Sequence, residues 1–181
     1  MKTEVSPVSL KTKSPAPGQI LFAIGHSALG LMLVGLSNKG ICLISLGDDP
    51  KPLIADLRKR FPNDETIKTD LSENPIFSKV FDFVESPGPE IPFPIDLRGT
   101  DFQQQVWSAL LQIPFGKTST YTEIAAQIGR PKAFRAVAAA CGANPVAIAV
   151  PCHRVLRSDG SISGYRWGKN RKKQLLEREQ G

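Results

Sequence analysis

The chain has 181 residues, 41% of them hydrophobic and 22% charged, which is typical of a globular protein that buries a core without disulfides or metal ions. The net charge of +6 is uneven: residues 1–95 contain 10 Lys and Arg against 11 Asp and Glu, whereas residues 96–181 contain 13 against 6. The three cysteines form no CxxC pair, which argues against a secreted disulfide framework and predicts free thiols in the cytoplasm.

Residues 1–18 are rich in Pro, Ser, Thr and Lys without an apolar period, so we expect a flexible tail. Apolar runs on either side of the turn sequence Ser37–Gly40 predict antiparallel strands between residues 19 and 46. The first of these runs, residues 20–36, has no charge and almost the length of a membrane-spanning helix. Three glycines interrupt it, however, so we favour strands and expect no membrane association.

Two helices are predicted next. One covers residues 52–60, whose apolar positions keep a helical period, and the other begins after the N-cap Asn74 with Pro75 in its first turn. Residues 86–94 contain four prolines, which cannot continue a helix or join a central strand. We place a domain boundary there, between an N-terminal α/β domain at 19–93 and a C-terminal domain at 94–181.

The C-terminal half is predicted to be mainly helical. Thr100 caps a helix near 101–112, and a capping box at Thr120–Glu123 begins a helix that ends at Gly129. A further helix over 131–141 follows after about three residues, the spacing expected of a helix-turn-helix. This pair and the positive charge favour nucleic-acid binding, although solvated basic surfaces and short helical corners also occur in other α-helical domains.

Cys152 differs from the other two cysteines in its surroundings. It follows five apolar residues, 146–150, and we expect this buried run to hold the thiol in a fixed place. The neighbouring His153 and Arg154 put potential positive charge beside the sulfur, which favours the nucleophilic thiolate. We interpret the remaining cysteines as structural.

A histidine that takes a proton from a thiol needs a partner on its other ring nitrogen. Successive residues of an extended chain point to opposite sides, so we expect a water molecule between Cys152 and His153. Acidic residues are scarce in this half, and in a final helix over 169–179 Glu179 shares a face with Leu175. Glu179 is therefore the predicted partner of His153.

Several motifs in this half occur together in one family: Phe102–Trp107, Tyr121, Arg135–Val137, Asn144–Pro145, Pro151–Val155 and Gly164–Gly168. They resemble the O6-alkylguanine-DNA alkyltransferase family, and within it the C-terminal domain of the bacterial adaptive-response proteins. The resemblance covers roughly residues 30–180 and is dense from residue 96 onward. It implies an α+β fold, with a small ribonuclease H-like N-terminal antiparallel sheet and a helical, winged-helix-like C-terminal domain that contains the helix-turn-helix.

The resemblance also implies a reaction. Cys152 would take the alkyl group from O6-alkylguanine, and from O4-alkylthymine, irreversibly and once per molecule. His153, a water and Glu179 would remove the thiol proton. Tyr121 would protonate the leaving guanine, and Asn144 would brace the turn beside the cysteine.

The implied partner is double-stranded DNA with an alkylated base, bound by a monomer through the minor groove with low sequence specificity. Arg135 would fill the space that the flipped nucleotide leaves, and an alanine-rich helix would suit the narrow groove. The resemblance also implies contacts with DNA at Tyr121, Thr122, Arg130 and Ser158, and a base pocket formed by Val155, Tyr165 and Arg166.

We expect no cofactor and no metal, because His26 and Cys42 lack two further ligands for a structural zinc. We also expect neither phosphotriester repair nor transcriptional activation, since the zinc-binding and regulatory segments of the adaptive-response proteins have no counterpart in this sequence. Two other classes share part of the pattern. A cysteine hydrolase has a Cys-His pair but needs an oxyanion hole, and a lesion-binding protein has the basic helices without the chemistry.

Overall fold

The structure is a computed structural model that describes residues 12–180. A four-stranded sheet has the order β3-β2-β1-β4 and consists of β1 (Gln19–Ser27), β2 (Gly30–Ser37), β3 (Gly40–Gly47) and β4 (Glu65–Lys68). The first three strands are antiparallel, which confirms the predicted antiparallel sheet. The short β4 pairs in parallel with β1 and was not predicted, because its four residues are only partly buried and show no apolar alternation.

Helices cover both faces of this sheet. On one face, α1 (Pro50–Arg60) packs Leu53 and Leu57 against apolar side chains of all three antiparallel strands. On the other face lies α2 (Pro75–Glu85), whose first turn is capped as predicted: the Asn74 side-chain oxygen accepts a hydrogen bond from the Ile76 amide at 3.0 Å. The second face continues into the core of the C-terminal half.

Residues 86–94 contain neither helix nor strand and run to the free edge of β3. There the amide of Ile41 donates to the carbonyl of Pro94, and the amide of Asp96 donates to the carbonyl of Ile41, both at 2.9 Å. The two halves share one hydrophobic core, so the predicted domain boundary separates segments of sequence and not separate cores. It remains a prediction.

The described part of the C-terminal half, up to residue 180, contains four α-helices and a two-stranded parallel sheet: α3 (Asp101–Leu110), α4 (Tyr121–Gln127), α5 (Phe134–Gly142), α6 (Lys169–Gln180), β5 (Ser119–Thr120) and β6 (Val155–Leu156). Both predicted threonine caps are present as capping boxes. The helix predicted from residue 131 begins only at Phe134. Pro131 lies in a turn closed by a 2.8 Å bond from the Ala133 amide to the Arg130 carbonyl, a place that suits proline as well as a helix start does.

The uncharged apolar segment 20–36 forms most of β1 and β2. Within residues 12–180, no helix is long and apolar enough to cross a membrane. Residues 1–11 of the predicted tail lie outside the described part of the chain. Its later part contacts the protein, because the Lys13 amide donates to the Glu73 carbonyl at 3.2 Å.

Gly40 should tolerate no side chain. Its φ is +149°, and a Cβ would lie 2.6 Å from the Pro94 carbonyl oxygen, at the point where the proline-rich segment joins β3. We expect Gly40→Ala to lower the free energy of unfolding in urea by about 3 kcal/mol. Gly18→Ala is the control, since Gly18 also has a positive φ but has open space around it, and should cost about 1–2 kcal/mol. Equal losses would contradict the importance of the Pro94 contact.

Candidate active site

The candidate site is built on a short 3-10 turn, Cys152–Arg154, whose three residues are all buried. The apolar run before it, residues 146–150, is buried as predicted, but it folds into successive turns. Ile148 in this run has a φ of +70°, a conformation that a β-branched residue adopts only when its surroundings enforce it. Because Cys152 and His153 lie in the 3-10 turn, the expectation of an extended chain at these two residues is wrong.

The buried side chain of Asn144 closes the turns formed by residues 146–150. Its side-chain oxygen accepts from the Val146 amide at 2.9 Å, and its side-chain nitrogen donates to the Val150 carbonyl at 2.8 Å. The same nitrogen lies 3.2 Å from the sulfur of Cys152. The bracing position was predicted, whereas the contact with the sulfur was not.

The thiol of Cys152 is protonated at neutral pH. Burial raises the pKa of Cys152 to about 11, and this effect outweighs the hydrogen bond from Asn144 and the positive charge of Lys172, which lower it. The expectation that His153 and Arg154 stabilise a thiolate is thus wrong for the resting protein, because both side chains turn towards Glu179 instead. A base must remove the proton before the sulfur can act as a nucleophile.

Glu179 on α6 binds both residues that follow the cysteine. One carboxylate oxygen lies 2.7 Å from Nε2 of His153, and Arg154 donates two hydrogen bonds to the carboxylate at 2.8 and 2.9 Å. Burial raises the pKa of Glu179, but hydrogen bonds from His153 and Arg154 more than reverse this and hold the pKa at about 2. The predicted pairing of His153 with Glu179 is present in the structure.

Burial lowers the pKa of His153, so its ring is neutral at pH 7. A neutral ring carries one N–H, and the ionised Glu179 carboxylate can only accept. The hydrogen therefore lies on Nε2, and Nδ1 is left as an acceptor. Nδ1 is buried and has no hydrogen-bond partner among the described residues.

A cavity of about 470 Å³ opens beside the sulfur, and Tyr121, Cys152, Tyr165 and Arg166 line it. The hydroxyl of Tyr121 lies 2.5 Å from that of Ser163, which also lines the cavity. Among the residues predicted for the base pocket, Tyr165 and Arg166 are at the wall. The third, Val155, is fully buried in the adjacent β6.

Of the residues predicted to contact DNA, Tyr121 is half-buried, and the other four are exposed on α4, α5 and the nearby loops. Thr122 and Ser158 lie together, with their hydroxyl oxygens 3.2 Å apart. The guanidinium of Arg130 lies over the ring of Phe102, and Arg135 lies in the first turn of α5. Both arginines are exposed, and Ala138, on the same helix as Arg135, lines the cavity.

Two polar residues at or near the site were not predicted from the sequence. Lys172 is fully buried on α6, and Asp56 on α1 accepts a 2.6 Å hydrogen bond from Arg166 at the cavity wall. Lys172 has a sequence signal, since it precedes Leu175 by three residues and Glu179 by seven and so shares their helix face. Asp56 has none, because it is distant in sequence. In residues 12–180, no three His, Cys, Asp or Glu side chains converge as a metal site requires.

A sequence profile for the DNA binding domain of 6-O-methylguanine DNA methyltransferase matches residues 101–181. The bifunctional transcriptional activator/DNA repair enzyme Ada of Escherichia coli is 48% identical over 160 residues, which cover 88% of this chain and 45% of Ada. This chain thus spans less than half the length of Ada.

A relative of similar size is the inducible methylated-DNA--protein-cysteine methyltransferase of Bacillus subtilis, 40% identical over 87% of this chain and 83% of that protein. Among solved structures, the Mycobacterium tuberculosis O6-methylguanine methyltransferase superposes with a TM-score of 0.72 at 35% identity, covering 90% of this chain and 93% of the other. The same organism's protein in complex with DNA gives a TM-score of 0.73 at 36% identity, covering 88% and 92%.

The buried carboxylate should make stability depend on pH. Because its folded pKa of about 2 lies below the ordinary 4.5, Glu179 stabilises the fold above pH 4.5, and this contribution is lost as the pH falls towards 2. We expect Glu179→Gln to lower the free energy of unfolding at pH 7 by about 3 kcal/mol, and the difference from wild type to narrow between about pH 5 and pH 3.

Urea denaturation at several pH values measures this difference. Glu177→Gln is the matched control, since Glu177 lies on the same helix but is exposed, 3.8 Å from the equally exposed Lys173. It should change stability little at any of these pH values. A constant difference between Glu179→Gln and wild type across the range would contradict the lowered pKa.

Proposed function

The chain belongs to the 6-O-methylguanine DNA methyltransferase family, and we propose on that basis that it repairs DNA by direct reversal, as a methylated-DNA--protein-cysteine methyltransferase. The alkyl group of O6-alkylguanine passes to the sulfur of Cys152. The single observation that carries this proposal is the buried thiol at an open cavity, next to a histidine that a buried carboxylate orients.

The proposed reaction begins with proton removal. The thiol of Cys152 gives its proton through a water molecule to Nδ1 of His153, and the negative charge of Glu179 stabilises the imidazolium that forms. The sulfur then attacks the alkyl carbon, so that a carbon–sulfur bond forms as the bond between carbon and O6 breaks. Tyr121 donates its hydroxyl proton to a ring nitrogen of the departing guanine.

The product is a thioether. It has no carbonyl that water could attack, so the protein keeps the alkyl group and reacts once. This separates the proposed activity from that of a cysteine hydrolase, whose acyl-enzyme is released by water.

DNA binding supplies the substrate. A base within the duplex hides its O6 group from a buried thiol, so the nucleotide must be flipped into the cavity at a cost of a few kcal/mol. We propose that a monomer places α5 in the minor groove, that Arg135 fills the vacated space, and that Thr122, Arg130 and Ser158 approach phosphates. The exposed positive charge of this half favours such contacts, which do not read the base sequence.

We expect stoichiometric transfer. Incubation with duplex DNA that contains O6-methylguanine should add one methyl group to Cys152 per protein molecule, as mass spectrometry of the intact protein and its peptides measures. Cys152→Ser should abolish transfer, whereas Cys42→Ser should retain it, because Cys42 lies in β3 on the far face of the sheet. Repair of many lesions per molecule would point to a hydrolytic enzyme, and binding without methylation to a lesion-recognition protein.

Arg135→Ala should separate base flipping from chemistry. We expect single-turnover repair of duplex DNA to slow by about tenfold or more, because each 1.4 kcal/mol lost from support of the flipped state is a factor of ten. Reaction with free O6-methylguanine, which has no base stack to leave, should keep its rate. Lys132→Ala removes an exposed charge from the preceding turn and is the control for general loss of positive charge. Equal slowing on both substrates would assign Arg135 to the fold of the pocket.

A further inference from the structure

Lys172 is a buried amine that takes no step in the proposed reaction. Its side chain is 0% exposed, and Nζ donates to the Val155 carbonyl at 2.6 Å and to the Ser163 hydroxyl at 3.1 Å. Burial lowers the pKa of Lys172. An aliphatic side chain would fill such a position without the desolvation penalty, so the retained amine calls for a role.

Ser163 connects the Lys172 amine to Tyr121 through two hydrogen bonds. Ser163 lies between Lys172 and Tyr121, with its hydroxyl oxygen 3.1 Å from the lysine Nζ and 2.5 Å from the tyrosine hydroxyl. A lysine ammonium has donors only, so the Ser163 oxygen must accept from it. The hydrogen of Ser163 is then free to be donated to the oxygen of Tyr121.

This order of donors determines where the hydroxyl hydrogen of Tyr121 points. Because the Tyr121 oxygen accepts from Ser163, its own hydrogen points away from Ser163. With the opposite order, the buried Ser163 hydroxyl would accept twice and its hydrogen would have no acceptor among the described contacts. Tyr121 lines the cavity together with Cys152, so the free side of its hydroxyl is the cavity side.

We propose that Lys172 is a positioning residue, which acts through Ser163 to present the Tyr121 hydroxyl as a hydrogen-bond donor to the base in the cavity. This inference rests on the proposed function, in which Tyr121 protonates the leaving guanine. The ammonium also stabilises the negative charge that develops on the tyrosine oxygen as its proton leaves, because the two donated hydrogen bonds polarise in the same direction. Lys172 itself does not touch the substrate.

If the role of Lys172 were purely structural, the rate of transfer would not depend on its contact with Ser163. Its hydrogen bond to the Val155 carbonyl ties α6 to β6 whether or not Ser163 is present. Ser163→Ala leaves that bond in place and removes only the link to Tyr121. Ser163→Ala therefore tests the proposed hydrogen-bond link from Lys172 to Tyr121 without depending on whether Lys172→Met folds.

The experiment measures single-turnover transfer from free O6-methylguanine at saturating concentration, which leaves DNA binding out. We expect Ser163→Ala to slow transfer by about tenfold, a part of the hundredfold or more that a general acid contributes. Ser163→Thr, which keeps a hydroxyl, should restore most of the rate. Ser161→Ala is the control, since Ser161 is exposed in the same loop and should transfer at the wild-type rate.

A double-mutant cycle with Tyr121 distinguishes the positioning role from a purely structural one. In a Tyr121→Phe background, Ser163→Ala should cause no further slowing, because the group that Ser163 positions is already gone. A full tenfold slowing by Ser163→Ala in that background, or a wild-type rate for Ser163→Ala alone, would overturn the proposal. Wild-type protein that transfers no methyl group in the same assay would instead overturn the proposed function.

Discussion

Glu179 brings a negative charge into the interior, and the geometry of the site depends on how that charge is held. A buried carboxylate without partners would take up a proton, but three hydrogen bonds from His153 and Arg154 keep this one ionised. The same bonds fasten α6 to the 3-10 turn that begins with Cys152. Orientation of the base and placement of the thiol therefore have one common cause.

The N-terminal half contributes to the site without entering it. The free edge of β3 holds the segment before the cysteine, because the Ile44 amide donates to the Pro145 carbonyl and the Ala147 amide donates back to Ile44, both at 3.0 Å. On the adjacent face, Asp56 of α1 binds Arg166 at the cavity wall. The two backbone bonds to Ile44 hold the strained turn around Ile148, since backbone strain persists only where surrounding structure enforces it.

Features that depend on neighbours in sequence were predictable. The caps at Asn74, Thr100 and Thr120 follow from side chains that reach only two or three residues ahead, and the inward position of Glu179 follows from helical spacing. The protonated state of Cys152 was not predictable in this way. Burial decides its pKa, and burial depends on which distant elements cover the sulfur.

Other misses have the same physical origin. The pairing of Arg154 with Glu179 joins residues 25 positions apart, and sequence neighbourhood had assigned the arginine to the sulfur instead. The short β4 acquires its structure from the edge of β1 and not from its own composition. The start of α5 lies three residues later than Pro131 predicts, because proline fits a turn and a helix start equally well.

The core shared by the two halves has a practical consequence for engineering. Residues 86–94 connect the halves without contributing a helix or strand, while apolar side chains and the β3 edge hold the halves together on either side of it. A chain divided within this segment gives two fragments whose exposed apolar faces are complementary. Only their reassembly restores the covered sheet face and the cysteine turn, which makes this segment a suitable split point for a fragment-complementation sensor.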